Sequence, residues 1–230
     1  MQTTKIKKCK TLTEEARLQR FFGDLDKVFL ELPNPFEPRM KTYPLALEGL
    51  KLITVDRYED ERGCFSDHWH EEKFKEVTCH SIFKQDSYVR SNRGVVRGLH
   101  YQVAPYQQGK LVRCIYGKIQ DVIVDLRKSS KTFGQWTQVY LDGESRHYEM
   151  LWIPPGFAHG YCVIGDRADV LYKMTEIHSP EHERTLLWND PDLAIPWEQS
   201  NKIPWNKTQK PILSFKDETG IPFKDAEVFV

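Results

Sequence analysis

The sequence has no excess of charge of either sign: Lys plus Arg and Asp plus Glu both number 33. A neutral balance gives no long-range pull toward nucleic acid or an anionic membrane, so an anionic ligand must be held by a local cluster. No apolar run approaches the ~18 residues that a membrane-spanning helix needs, so none is expected. The opening MQTTKIKKCK is basic, but no apolar stretch follows it, which argues against a secretory signal. Cysteine is sparse. The five residues Cys9, Cys64, Cys79, Cys114 and Cys162 are scattered, odd in number and form no C-x-x-C. They read as reduced thiols in a cytoplasmic protein. Internal repeats and low-complexity tracts are also missing.

What is present suits a globular enzyme-sized domain. The chain has 230 residues, 40% hydrophobic and 29% charged, enough for one domain with a substantial core. Aromatics reach 12%, which favours β-rich structure. The N-terminal segment stands apart. Leu18, Phe21, Phe22, Leu25, Val28, Phe29 and Leu32 step by three and four, which makes one apolar helix face. Thr11 followed by Glu14 is a capping box, and Pro33 with NPFEPRM ends the helix in a linker. Residues 1–44 therefore read as a helical extension, and residues 45–230 as the main domain. The helix is expected to pack on its own domain; a docking or dimer helix is the alternative.

From about position 45 the pattern changes to short strands: LKLITVDRY, SIFKQDSYV, GVVRGLHYQ, KLVRCIYG, KIQDVIVDLR, GQWTQVYLD, EMLWIPPGFAHGYCVI and ADVLYKMTEI, punctuated by Gly, Pro, Asn and Asp. DHWHEEKFKEV interrupts them as a short helix. Evenly spaced short strands predict a sandwich or barrel. The tail after Trp188, rich in Pro and Trp, is expected to wrap it. One strand asks a question. GVVRGLHYQ carries Arg97 and His100 where a core strand wants only apolar residues, and a lone histidine there is more often a hydrogen-bonded core residue than a catalyst.

DERGCF, GVVRGLHYQ, QGKLVRCIYGKIQDVIVDLRKSSKTFGQW, LWIPPGFAHGY, LYKMTEIHSP and LLWNDPDLAIPW occur in this order. Over roughly residues 46–217 the chain closely resembles the dTDP-4-dehydrorhamnose 3,5-epimerase family. The resemblance implies an all-β fold, a cupin jelly-roll barrel with the helix as an N-terminal extension and a loop and helix tail at the C-terminus. It also implies a homodimer and a site without metal or other cofactor. The implied substrate is a nucleotide-linked 4-keto-6-deoxy sugar, with no nucleic-acid or membrane partner.

Epimerising carbons beside a ketone needs a base, a group that stabilises the enolate, and an acid across the ring. The resemblance assigns His100 as the base, oriented by Asp217 in LSFKD. Lys110 stabilises the enolate, and Tyr172 in VLYK is the acid. It places Arg97 on a phosphate and His159 near the sugar. Arg62, Phe65, Asp67, Gln85, Ser87 and Glu183 fall at substrate-contacting positions. Strict alternation puts residues 97 and 100 on opposite faces of a strand, so a bulge at Gly98 is expected.

Two departures bear on specificity. Ser87 and Tyr88 stand where the family reads Asn and His, which leaves the sugar open. Ile177 stands where an aromatic residue is common, and isoleucine cannot stack on thymine. UDP-, GDP- and CDP-sugars therefore remain open, as do epimerisation at C3 or C5 alone, a 3,4-ketoisomerase and a non-catalytic sugar-nucleotide binding module. A metal-dependent cupin would need two histidines one residue apart on a barrel strand with further ligands. GLHYQ has one histidine, and the HWH at 68–70 sits outside the barrel strands.

Overall fold

The protein is seen in a computed structural model that describes residues 40–145, 147–198 and 210–230. The expected helix of the N-terminal extension lies outside the described residues. Eleven strands and two short helices follow: β1 Met40–Pro44, β2 Lys51–Val55, β3 Tyr58–Asp60, β4 Gly63–Phe65, α1 Glu71–Lys75, β5 Gln85–Asn92, β6 Val96–Gln102, β7 Lys110–Asp125, β8 Trp136–Asp142, β9 Tyr148–Ile153, β10 Phe157–Met174, β11 Glu183–Thr185 and α2 Phe215–Glu218. The architecture is the cupin-type jelly roll. Besides the short β3, β4 and β11, one strand was not legible: β1 pairs with β2 from Met40↔Val55 to Pro44↔Lys51, in a stretch the sequence assigns to the extension and its linker.

Two long strands organise the fold. β7 and β10 run antiparallel along most of their lengths, and each changes its outer partner midway. The start of β7 pairs with β9 at Lys110–Val112, and its end pairs with β8 at Lys118–Val124. The start of β10 pairs with β6, and its end pairs with β5. One half-sheet therefore contains β1, β2, β9, β5 and the adjoining parts of β7 and β10. The other contains β8, β6, β11 and the remaining parts of both. The β-branched runs of β7 (Ile119, Val122, Ile123, Val124) suit strands covered on both faces.

Each half-sheet carries apolar residues on the face away from the site. Across β6, β7 and β10 these are Val96, Leu99, Tyr101, Val122, Val124, Ala158 and Cys162. They pack under the tail through Leu186, Leu193, Ile195 and Trp197, with Leu213, Phe223 and Phe229 partly buried against them. The tail is stitched on by single bridges at Val95↔Ile212, Leu186↔Ile221 and Arg127↔Phe229. On the first half-sheet, Ile53, Leu111, Met150 and Trp152 are covered by Phe74 and Val77, with Trp69 and Phe83 against them. Phe74 is the buried residue of α1, and Phe83 meets Trp152 edge to face at 5.9 Å between ring centres. A residue such as Trp152 contributes on the order of 3–5 kcal/mol by its burial, so these outer clusters leave the inner face free to hold polar groups.

Candidate active site

The site begins at an irregularity in β6. His100 pairs with His159 of β10, and Arg97 with Tyr161. Three residue steps on β6 therefore match two on β10, which inserts one extra residue at Gly98–Leu99. The slip turns Arg97 and His100 to the same face, while Val96, Leu99 and Tyr101 enter the cluster under the tail. The bulge requires glycine on both strands. Gly98 has φ of +111°, and a Cβ there would lie 2.5 Å from Gly160 Cα and 2.7 Å from His159 O. A Cβ on Gly160 would lie 2.6 Å from Arg97 O.

The tail delivers a carboxylate to this bulge. Ser214 caps α2, and the helix presents Asp217, which is buried. His100 Nε2 donates to Asp217 Oδ1 at 2.5 Å. The Gly98 N–H, which the bulge leaves out of the paired register, donates to the same oxygen at 3.2 Å. Ser214 Oγ donates to Oδ2 at 2.6 Å. Burial pushes the Asp217 carboxyl up, but the bonds from His100, Ser214 and Gly98 outweigh it and hold it below the usual carboxylate range. Burial lowers His100 more than Asp217 raises it. The pair is thus a neutral imidazole with Nε2–H fixed on a carboxylate, which leaves the Nδ1 lone pair free.

Lys110, Tyr172 and His159 share the inner face with it. Lys110 opens β7 and its Nζ lies 3.4 Å from His100 O. Burial lowers its pKa to about 8 against the opposing charges of Glu183 and Asp121. Tyr172 pairs across from Val112 on β7 and Ser87 on β5. Its ring meets that of His159 edge to face at 5.9 Å, and burial with nearby Tyr161 and Asp121 raises its pKa well above that of a free tyrosine. His159 Nε2 is 2.8 Å from Asp121 Oδ1, off the hydrogen-bonding line. Burial raises Asp121, with His159 and Lys110 opposing. Such a face holds groups that can take up a proton and groups that can give one back.

The structure brings His100, Asp217, Lys110, Tyr172, His159 and Arg97 together, with Gln85 and Ser87 beside Tyr172 on β5. Gln85 Nε2 donates to Ser87 Oγ at 3.1 Å, and its carbonyl accepts from His178 N at 2.7 Å. Glu183 lies at the edge on β11, held by Lys216 Nζ at 2.8 and 2.9 Å. Arg62, Phe65 and Asp67 stand elsewhere. Arg62 bonds Asp60 on the exposed β3–β4 hairpin, Phe65 is 65% exposed, and Asp67 is 3.8 Å from Lys73. Sequence reasoning missed Asp121, Ser214, Ser91 and Tyr161. Asp121 did leave a signal: it is a carboxylate in the alternating inward series Ile119, Asp121, Ile123. Among the described residues no three His, Cys, Asp or Glu side chains converge as a metal site. His68 of the HWH motif instead packs on Tyr148 at 4.6 Å, and its pKa is lowered to about 4, chiefly by burial. No helix among the described residues is long and apolar enough to cross a membrane.

A jelly-roll barrel with a histidine–carboxylate pair, a partly buried lysine and a partly buried tyrosine on one inner face has the groups of a cupin-type acid–base enzyme. Residues 44–225 match the family model described as dTDP-4-dehydrorhamnose 3,5-epimerase. Enzymes of that name from Shigella flexneri and Pseudomonas aeruginosa are among its relatives. The first is 45% identical over 174 residues, covering 75% of this chain and 90% of the relative. The second is 44% identical over 191 residues, covering 83% and 99%. A Streptomyces niveus dTDP-4-dehydrorhamnose 3-epimerase is 35% identical, covering 81% and 86%. Among solved structures, the Legionella pneumophila dTDP-6-deoxy-D-glucose-3,5-epimerase in complex with dTDP-4-keto-L-rhamnose superposes with a TM-score of 0.74 at 39% identity, covering 82% and 95%. The chain belongs to the dTDP-4-dehydrorhamnose 3,5-epimerase family and is a carbohydrate epimerase, an enzyme of the isomerase class.

Proposed function

We propose that this enzyme, as a homodimer, epimerises C3 and C5 of a dTDP-linked 4-keto-6-deoxyhexose. The observation that carries the reading is the 2.5 Å pair of His100 and Asp217 on the same inner face as Lys110 and Tyr172. The neutral His100 takes the proton from the carbon beside the ketone. The C–H electrons move onto the carbonyl oxygen, where the Lys110 ammonium meets the developing charge. Tyr172 delivers a proton to the opposite face of that carbon. His100 then releases its proton to solvent and Tyr172 regains one, so the protein returns to its starting state. Asp217 stabilises the imidazolium formed in between. Arg97 binds the diphosphate through its terminal nitrogens, and His159 hydrogen-bonds the sugar. Gln85, Ser87 and Glu183 make further polar contacts, and Arg62, Phe65 and Asp67, which stand apart from this face within one chain, reach the nucleotide in the other protomer of the homodimer.

Incubation with dTDP-4-keto-6-deoxyglucose in D2O, read by NMR, tests this. Deuterium is expected at both C3 and C5, with inverted configuration. Label at C3 alone would place the enzyme with the Streptomyces niveus relative, and a 3-keto product would make it an isomerase of the other kind. His100→Ala is expected to lose at least about 10²–10⁴-fold in exchange at both carbons while still binding dTDP. Retention of most of the exchange would remove His100 from the mechanism.

A further inference from the structure

The bulge turns Arg97 onto the inner face, yet among the described residues no carboxylate pairs with it. Its guanidinium meets a neutral side chain instead: Arg97 Nε donates to Ser91 Oγ at 2.9 Å. Ser91 is only 2% exposed. Its Oγ is also 2.8 Å from the hydroxyl of Tyr161, a residue with 0% exposure. The register explains how the three meet. Tyr161 of β10 pairs directly with Arg97 of β6, and Ser91 of β5 lies opposite Ala168 further along β10. Between Asn92 and Val96 the chain crosses from one half-sheet to the other. Ser91 and Arg97 stand on either side of that corner, and their bond closes it.

The bond fixes the orientation of the guanidinium as well as its place. An arginine offers an anion two forks: Nε with one terminal nitrogen, or the two terminal nitrogens together. Arginine has donors only, so Ser91 Oγ must accept, and it occupies Nε. The fork of terminal nitrogens is the one left open. Because Ser91 is neutral, it directs the cation without cancelling its charge. An aspartate in its place would have neutralised the arginine inside the protein. Arg97, half-buried and uncompensated by a carboxylate, is thus prepared for a ligand that brings its own negative charge.

We propose that Ser91, braced by Tyr161, is a positioning residue that holds Arg97 at Nε, so that its two terminal nitrogens grip the diphosphate end-on. The inference rests on the reading of Arg97 as the diphosphate ligand. It makes nucleotide affinity depend on a buried serine that never touches the nucleotide.

The test is a double-mutant cycle of Ser91→Ala and Arg97→Met, read by calorimetry with dTDP and by steady-state kinetics with dTDP-4-keto-6-deoxyglucose. Arg97→Met should bind dTDP far more weakly. Ser91→Ala should weaken dTDP and raise KM by about ten- to hundredfold, the range of a hydrogen bond to a charged group, with kcat little changed. Added to Arg97→Met, it should weaken dTDP hardly any further, because the group it positions is already gone. Tyr161→Phe keeps both the ring and the Ser91–Arg97 bond, so it should raise KM by less than Ser91→Ala does. General loosening of the barrel would make Ser91→Ala equally harmful with or without the arginine. That result, or a Ser91→Ala enzyme with unchanged KM and dTDP affinity beside a weakened Arg97→Met, sinks the role of Ser91 and leaves that of Arg97 in place. An Arg97→Met enzyme that binds dTDP as tightly as the unaltered one overturns both.

Discussion

Replacement of Asp217 by asparagine isolates what the carboxylate charge does at His100. The two side chains have one shape, and asparagine keeps an oxygen to receive the His100 Nε2–H and the Gly98 N–H. The charge is what disappears. In the reading proposed above, His100 becomes an imidazolium when it takes the substrate proton, and that cation then faces an uncharged amide. A hydrogen bond to a charged group contributes roughly 1.5–3 kcal/mol, so kcat should fall about 10- to 150-fold. The pH profile gives the sign. Asp217 raises the His100 pKa against the larger lowering by burial. Without the charge the imidazole should protonate only at lower pH, and the acidic limb of kcat/KM should move down. A slower enzyme that holds its rate into more acidic buffer is the expected result. Stability gives an independent sign. The folded Asp217 lies below its ordinary value of 3.8, so its contribution is complete above that pH and is lost as pH falls through the folded value. The Asn variant lacks this contribution, so the gap in melting temperature between the two proteins should close in acid. An acidic limb that stays fixed or moves upward, or a kcat equal to that of the unaltered enzyme, would refute the role given to Asp217.

Two further outcomes follow from the same geometry. If the Lys110 ammonium stabilises the enolate, kcat/KM should decline as pH rises through about 8; Lys110→Met should be nearly inactive at every pH, and Lys110→Arg slower but without that decline, as steady-state assays from neutral to alkaline pH will report. Gly160→Ala drives a methyl group against the Arg97 carbonyl, at a cost of about 1–3 kcal/mol, or roughly 2–4 °C of melting temperature for each kcal/mol; calorimetry checks this, and activity should fall with it because Arg97 and His100 sit on either side of that contact.

Much of the barrel was legible because strand alternation and turn residues act locally. The runs from GVVRGLHYQ onward fall on β6 to β10, and DHWHEEKFKEV contains α1. β1 was hidden because MKTYP has little apolar alternation and follows two prolines; it is a strand because β2 offers it an edge. The bulge at Gly98 was legible as a conflict between alternation and the chemistry expected of residues 97 and 100. The meeting of His100 with Asp217 spans 117 residues, and no local pattern encodes such a contact. The alignment of motifs suggested it, and the tail bridges at Ile212 and Ile221 bring α2 to the bulge. Asp121 was missed because a carboxylate among valines and isoleucines reads as a strand with one polar position. Its meaning comes only from His159 on the neighbouring strand. Ser91 and Tyr161 gave no signal at all, since each is common in a strand and their bond depends on the register of β5 against β10.

The slip in β6 gives that strand two reading frames. Before Gly98 the odd-numbered position faces the pocket; after it the even-numbered one does. β7 and β10 change frame as well, between Tyr116 and Cys114 and between Ile164 and Val170, which is how Lys110 and Asp121 come to look into one cavity despite opposite parity. Whether a substitution silences the enzyme or melts it is therefore set by its phase along the strand more than by its distance from the substrate. Leu99 and His100 are chain neighbours, yet one belongs to the clamp beneath the tail and the other to the chemistry. Deleting Gly98 would restore plain alternation with the arginine and the histidine still on the pocket face and the leucine still beneath the tail, but it would remove the N–H that meets Asp217.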